Sequence, residues 1–248
     1  MHKESRALIL LLPLALAACA SPIAPIAPFT PVSPDAARPT WQPLQLQSGE
    51  QALAIERPAT RLRAYVFRAG AAGRLGHNHV LSATEFEAQV LLNEADIAAS
   101  RLQLALRLDQ LQLDDPALRA ELGGAFAKPL DAEAIAGTRA NMLGERGLQA
   151  DRYPMLRLCS LKLVGEAPRL AALVEIELHG QRRQQWLALR VAEQAQQIRI
   201  SGALVLRQTE FGLQPFSLLG GLLAVADEIV VEFELVLLKS NGAAARAD

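Results

Sequence analysis

Two kinds of side chain in this sequence could do chemistry: imidazoles and thiols. Of the four histidines, three lie beyond the amino-terminal stretch, at His77, His79 and His179. A His-x-His pair on a strand points both rings to one face, and a third ring from another strand could complete a facial zinc or iron site. That arrangement would suit a metal hydrolase, an oxygenase or a metal sensor. Against it, no carboxylate or cysteine stands at a recognisable ligand spacing, and His179 falls on the polar positions of its own strand. Gly76, just before the pair, suggests a turn, where the rings would cap backbone groups or meet a ligand head group. The two cysteines are Cys19 and Cys159. Cys159 sits inside the apolar run Met155-Leu156-Arg157-Leu158-Cys159, where a lone thiol is a small packing residue. There is no nucleophile elbow, no phosphate-cradling glycine loop and no paired carboxylates. Nothing in these residues points to catalysis, and no catalytic residue is assigned.

Cys19 belongs to a different pattern. Lys3 and Arg6 precede an uncharged stretch from Ala7 to Ala18 dominated by Leu and Ala. This is the charged start and short apolar body of a secretory leader, too short to cross a hydrocarbon core of about 30 Å. It ends in Leu16-Ala17-Ala18-Cys19, which resembles the lipobox of bacterial lipoproteins. The resemblance implies cleavage before Cys19, lipidation of its thiol and attachment to a membrane through that lipid. By the same resemblance, Ala20 rather than Asp after the cysteine implies the outer membrane, facing the periplasm. Between Pro22 and Pro43 lie seven of the 14 prolines. Such a stretch favours extended polyproline II and would reach ~70 Å at about 3.1 Å per residue. The expected organisation is a signal peptide at 1–18, a proline-rich tether at 19–44, a folded domain at 45–239 and a flexible tail at 240–248. Loss of Lys3, Glu4 and Arg6 with the leader takes the net charge from −1 to −2. With no basic stripe, nucleic acid is excluded as a partner.

The elements that must position these residues read mainly as strands. Leu102, Leu104, Leu106 and Leu108 alternate with polar or small residues, and the phase slips at Gln110, as a β-bulge would produce. Val174, Ile176 and Leu178 alternate with Glu175, Glu177 and His179. Ile198, Ile200, Leu204 and Leu206 form a third series; Ile229, Val231, Phe233, Leu235 and Leu237 form a fourth. Further strands are expected at Ala52–Glu56, Leu62–Arg68, Val80–Leu92, Met155–Val164 and Trp186–Val191. Short turns such as His179-Gly180-Gln181 imply antiparallel neighbours. One stretch departs from this pattern. Asp114-Asp115-Pro116 opens a helical insertion, about 114–152, split by Gly123-Gly124 and Lys128-Pro129 into two short helices, with Ile135, Met142 and Leu143 on one stripe. The fold class is therefore all-β: an antiparallel barrel of about eight strands with a two-helix insertion. Aromatics make up only 4% of residues, which argues against the aromatic girdles of a transmembrane barrel.

Several segments, in order, resemble the YceI-like family of lipocalin-like, polyisoprenoid-binding periplasmic proteins. They are Gly76-His77-Asn78-His79 with Phe86, Asn141-Met142-Leu143 with Arg152-Tyr153-Pro154, Glu177-Leu178-His179-Gly180, and Thr209-Glu210-Phe211-Gly212-Leu213 followed by Ala226-Asp227-Glu228-Ile229. Typical members carry a His-Ser pair on the first strand, and this chain has none there. The resemblance implies an extended antiparallel barrel around an elongated apolar tunnel. It also implies a bound polyisoprenoid or quinone-like lipid as partner, with no further cofactor. The ligand-binding residues expected on this basis are His77, His79, Phe86, Leu156, Leu158, Phe211 and Phe216. Alternatives are a metal-binding enzyme or sensor built on His77, His79 and His179, and a structural lipoprotein whose barrel is solidly packed.

Overall fold

A computed structural model describes residues 42–239. The leader, Cys19, most of the tether and the tail lie outside the described residues. The strands are Glu50–Ile55 (β1), Arg61–Ala69 (β2), His79–Ser82 (β3), Glu87–Asn93 (β4), Arg101–Arg107 (β5), Gln112–Leu113 (β6), Met155–Glu166 (β7), Arg169–Leu178 (β8), Gln181–Glu193 (β9), Gln197–Arg207 (β10), Ser217–Leu218 (β11) and Leu223–Leu238 (β12). Two helices, Pro116–Leu122 (α1) and Ala132–Leu143 (α2), separate β6 from β7.

Eight of these strands close an antiparallel barrel in the order β1-β4-β5-β7-β8-β9-β10-β12. Closure comes from β12 returning to β1 through Ala54 opposite Leu238 and Ile55 opposite Leu237. The chain then bends through a 3-10 turn at Arg57–Ala59 and continues as β2 along the other part of β12. From there β3 and β6 extend the sheet. Closure removes the barrel's exposed edges and leaves one face of each strand turned to a shared interior.

Period-two patterning works because side chains on a strand alternate between faces. In β8, Ala172, Val174, Ile176 and Leu178 are buried while the intervening Leu173, Glu175 and Glu177 are only half-buried. In β10 the same phase places Gly202 between Ile200 and Leu204. A Cβ there would meet the Phe233 ring at 2.7 Å and the Ala188 carbonyl oxygen at 2.9 Å. The absent side chain is the space that the Phe233 ring fills.

Three expectations need correction. The slip after Leu108 is a 3-10 turn, Leu108–Gln110, after which the chain changes partner and β6 pairs with β3, so no bulge forms there. The expected strand Val80–Leu92 is two strands, because the turn at Ala83–Phe86 carries the chain from β3 beside β2 to β4 beside β5. His179 is not on a strand face: with Gly180 it forms the two-residue β8–β9 turn, both at positive φ (51° and 71°), the geometry that matches hairpin twist. The helical insertion begins as its sequence suggests. Asp115 caps α1, its carboxylate accepting from the Leu118 N–H at 2.9 Å, with Pro116 following in the first turn. Asp131 caps α2 in the same way through the Ala134 N–H at 2.7 Å.

Candidate functional site

The inward positions of the barrel surround a cavity of about 650 Å³. Its wall is almost entirely aliphatic: Leu102, Leu104 and Leu106 from β5, Leu156 and Leu158 from β7, Ala172, Val174 and Ile176 from β8, Ile198, Ile200, Leu204 and Leu206 from β10, and Val231, Phe233, Leu235 and Leu237 from β12. Many of these side chains point inward yet are only half-buried, Leu156, Leu158 and Phe233 among them. They border open space. The lining run on β7, from Leu156 to Leu163, spans about 23 Å of strand at roughly 3.3 Å per residue, so the space is elongated along the barrel.

The two ends differ in chemistry. At one end Phe86, Leu108, Phe211 and Leu213 pack together with Leu143, Leu148 and Ala150 from the helical insertion and its exit. This apolar plug forms the floor. At the other end the lining residues lie in or beside the β4–β5 and β7–β8 turns, at the end of β9 and just past β12, and include Glu94, Arg101, Glu193 and Lys239. Arg101 donates to both carboxylate oxygens of Glu50, at 2.8 and 2.6 Å, and to the Gln45 carbonyl at 2.6 Å. That pairing holds the Glu50 carboxyl below its ordinary range. Lys239 pairs with Glu193. A greasy tube with a charged, water-facing rim can receive the tail of an amphiphile and leave its head at the rim.

The residues singled out from the sequence divide accordingly. Leu156 and Leu158 line the cavity. Phe86 and Phe211 are buried in the floor, Phe86 lying beneath the Arg57 guanidinium at 5.0 Å, and neither lines the open space. Phe216 is elsewhere: it is exposed, just before β11. The histidines do not share a face. His77 and His79 stack edge-to-face with centroids 6.4 Å apart. His179 instead lies against Tyr153, centroids 4.7 Å apart, with Nδ1 at 3.1 Å from the Phe211 carbonyl oxygen. The three-ring site that the spacing allowed is therefore not assembled, and the described residues contain no group of three His, Cys, Asp or Glu able to hold a metal ion. Cys159 is half-buried on β7, and burial, followed by the Glu175 charge, pushes its thiol upward in pKa, away from nucleophilic character.

The GHNH segment has a structural partner that sequence reasoning missed. Asp114, fully buried and at φ 54°, accepts from the His79 ring at 2.6 Å, the Val80 N–H at 3.0 Å and Arg119 at 2.6 Å. Burial alone would raise its pKa; His79, the Val80 amide and Arg119 outweigh it and hold the carboxyl below its ordinary value. Arg119 also donates to the Asn78 and Lys128 carbonyls, at 2.8 and 2.9 Å. The cluster ties the β2–β3 loop, β3 and α1 together. The signal for it was the doubled acid before Pro116: one carboxylate caps the helix, and the other is free to turn inward.

A model of the YceI-like domain matches residues 66–237. The chain belongs to the YceI-like family. The match runs from within β2 to the end of β12 and so takes in most of the cavity wall. The crystal structure of BcnA from Burkholderia cenocepacia is similar at 14% identity and a TM-score of 0.55, aligning 74% of this chain with 99% of that one, which is a likeness of fold. A YceI protein from Campylobacter jejuni aligns 65% of this chain with 85% of its own at 10% identity and a TM-score of 0.48. No curated protein matches the sequence. In this YceI-like chain the barrel, the helical insertion and the aliphatic interior occur together.

Proposed function

We propose that this YceI-like protein carries or sequesters a polyisoprenoid-type amphiphile in its barrel, and that it does so at the bacterial cell envelope, tethered through a lipid on Cys19 with its folded domain in the periplasm. The observation that carries the reading is the cavity: about 650 Å³, elongated, aliphatic along its length and charged at its rim. The energetics favour a long tail. Burying about 400 Å² of apolar ligand surface would contribute roughly 10 kcal/mol at ~25 cal/mol per Å². Association costs about 4–15 kcal/mol, so one or two isoprene units would not suffice and several together would. With Phe233 its single aromatic lining residue and few hydrogen-bond donors, the wall suits a branched hydrocarbon chain better than a flat polar ring.

The test is chemical. Protein purified from its producing cells, extracted with organic solvent and examined by mass spectrometry, should release a stoichiometric isoprenoid lipid. A clean extract, combined with no uptake of a prenylated quinone by the lipid-free protein, rejects the proposal. Mass measurement of the intact mature chain tests the tether separately, since cleavage before Cys19 and acylation change its mass in a defined way.

A further inference from the structure

Two loops meet at the helix-capped end of the barrel. The β2–β3 loop and the β11–β12 hairpin are joined by the Ala72 N–H donating to the Leu222 carbonyl at 2.9 Å. They are packed so closely that a Cβ on Gly70 would lie 2.5 Å from the carbonyl oxygens of Gly221 and Leu222. Their joint tip exposes Leu75 (74%), Leu219 (73%), Leu222, Leu218 and Phe216. Over 69–76 and 215–222 the single charged residue is Arg74. Leu219 is held at φ 51°, a conformation where Asn or Gly is the usual occupant. An apolar side chain this exposed, on a backbone that disfavours it, calls for a partner.

We infer that this tip is a membrane-docking surface that inserts its leucines into the lipid interface. A protein partner would need a broad complementary face; a bilayer accepts a small glycine-bent tip of any shape, and Arg74 complements anionic head groups. The chain's course agrees. Residues 42–45 run outside β4–β5 from Gln103, which donates to the Gln42 carbonyl, toward Arg101, which donates to that of Gln45. This direction opposes β5, so at Gln42 the described chain enters heading away from the helix-capped end. The inference rests on the lipid tether proposed above: one anchor leaves orientation free, and a second contact fixes it. Docked this way, the charged rim of the cavity faces away from the membrane.

The experiment uses the full chain with both native tryptophans removed, Trp41→Phe and Trp186→Phe, mixed with phosphatidylcholine–phosphatidylglycerol vesicles containing acyl-chain-brominated lipid. Adding Leu219→Trp should give emission that shifts blue and is quenched by bromine. Adding Val164→Trp instead, an exposed position at the opposite end of the barrel, should leave emission unquenched. Equal quenching at both positions, or none at 219, overturns the inference. A blue shift at 219 that grows with protein concentration in the absence of vesicles also overturns it, in favour of contact between copies. Intact mass separates this test from the tether: a lipidated chain without quenching at 219 keeps the tether and loses the tip, and quenching without the lipid does the reverse.

Discussion

If the barrel interior is open, two leucines of the same barrel should respond differently to the same truncation. Leu108 is 2% exposed and packed in the floor, whereas Leu158 faces the cavity and is half-buried. Leu→Ala removes three carbons, worth about 2.4 kcal/mol of transfer free energy at ~0.8 kcal/mol per methylene. In the floor a new void adds roughly 24 cal/mol per Å³ left unfilled, bringing Leu108→Ala to about 4 kcal/mol. At Leu158 the space beside the side chain already exists, so little is added, and partial contact with that space brings the cost to about 2 kcal/mol. For a domain of this size each kcal/mol shifts Tm by roughly 2–4 °C. Thermal unfolding of the lipid-free protein by circular dichroism should therefore show a Leu108→Ala shift about twice that of Leu158→Ala. Equal shifts would mean that Leu158 sits in a packed core, and the reasoning from the cavity would be refuted.

Other consequences can be checked on the same protein. Asp114→Asn leaves Arg119 buried without its carboxylate and should cost about 3–5 kcal/mol in chemical denaturation. Because the folded pKa of Asp114 is lowered, its contribution is full above the unfolded value of about 3.9 and is lost as pH falls through the folded one, so the variant should show a flatter acid limb. His77 is also held below its ordinary value, first by burial and then by Lys128, His79 and Arg119. Stability from this source is full above about pH 6.5 and declines as pH drops below it, and NMR titration of the His77 ring should give a midpoint below 6.5. Gly202→Val places two methyls where the Phe233 ring lies and should destabilise by about 1–3 kcal/mol or more, read as a lowered denaturation midpoint.

Much of the barrel was legible because alternation is local. Each of Leu102, Leu104 and Leu106 declares its face without reference to any other strand, and so does the Val174–Leu178 series. What depends on partners was not legible. The slip after Leu108 has the same pattern whether the strand bulges or leaves for β3, and only the position of β3 decides. His179 alternates correctly with its strand, yet the glycine after it turns the pair into a hairpin turn. Phe216 resembled a lining residue by size and neighbourhood, but its apolar neighbours belong to an exposed tip. The Asp114–Arg119–His79 cluster joins residues whose distances in sequence, five and 35 positions, carry no periodicity. Whether a core of leucines is solid or hollow is likewise a matter of volume and closure, which no single strand encodes.

The central claim is that the barrel encloses an open space fit for a hydrocarbon tail, and titration of the lipid-free protein with a prenylated quinone tests it most directly. Wild-type chain should saturate at one ligand per barrel, and Leu158→Trp, which fills the space beside β7, should weaken uptake at least about tenfold while keeping the fold. Uptake unchanged by Leu158→Trp, or no uptake by either chain, would contradict it.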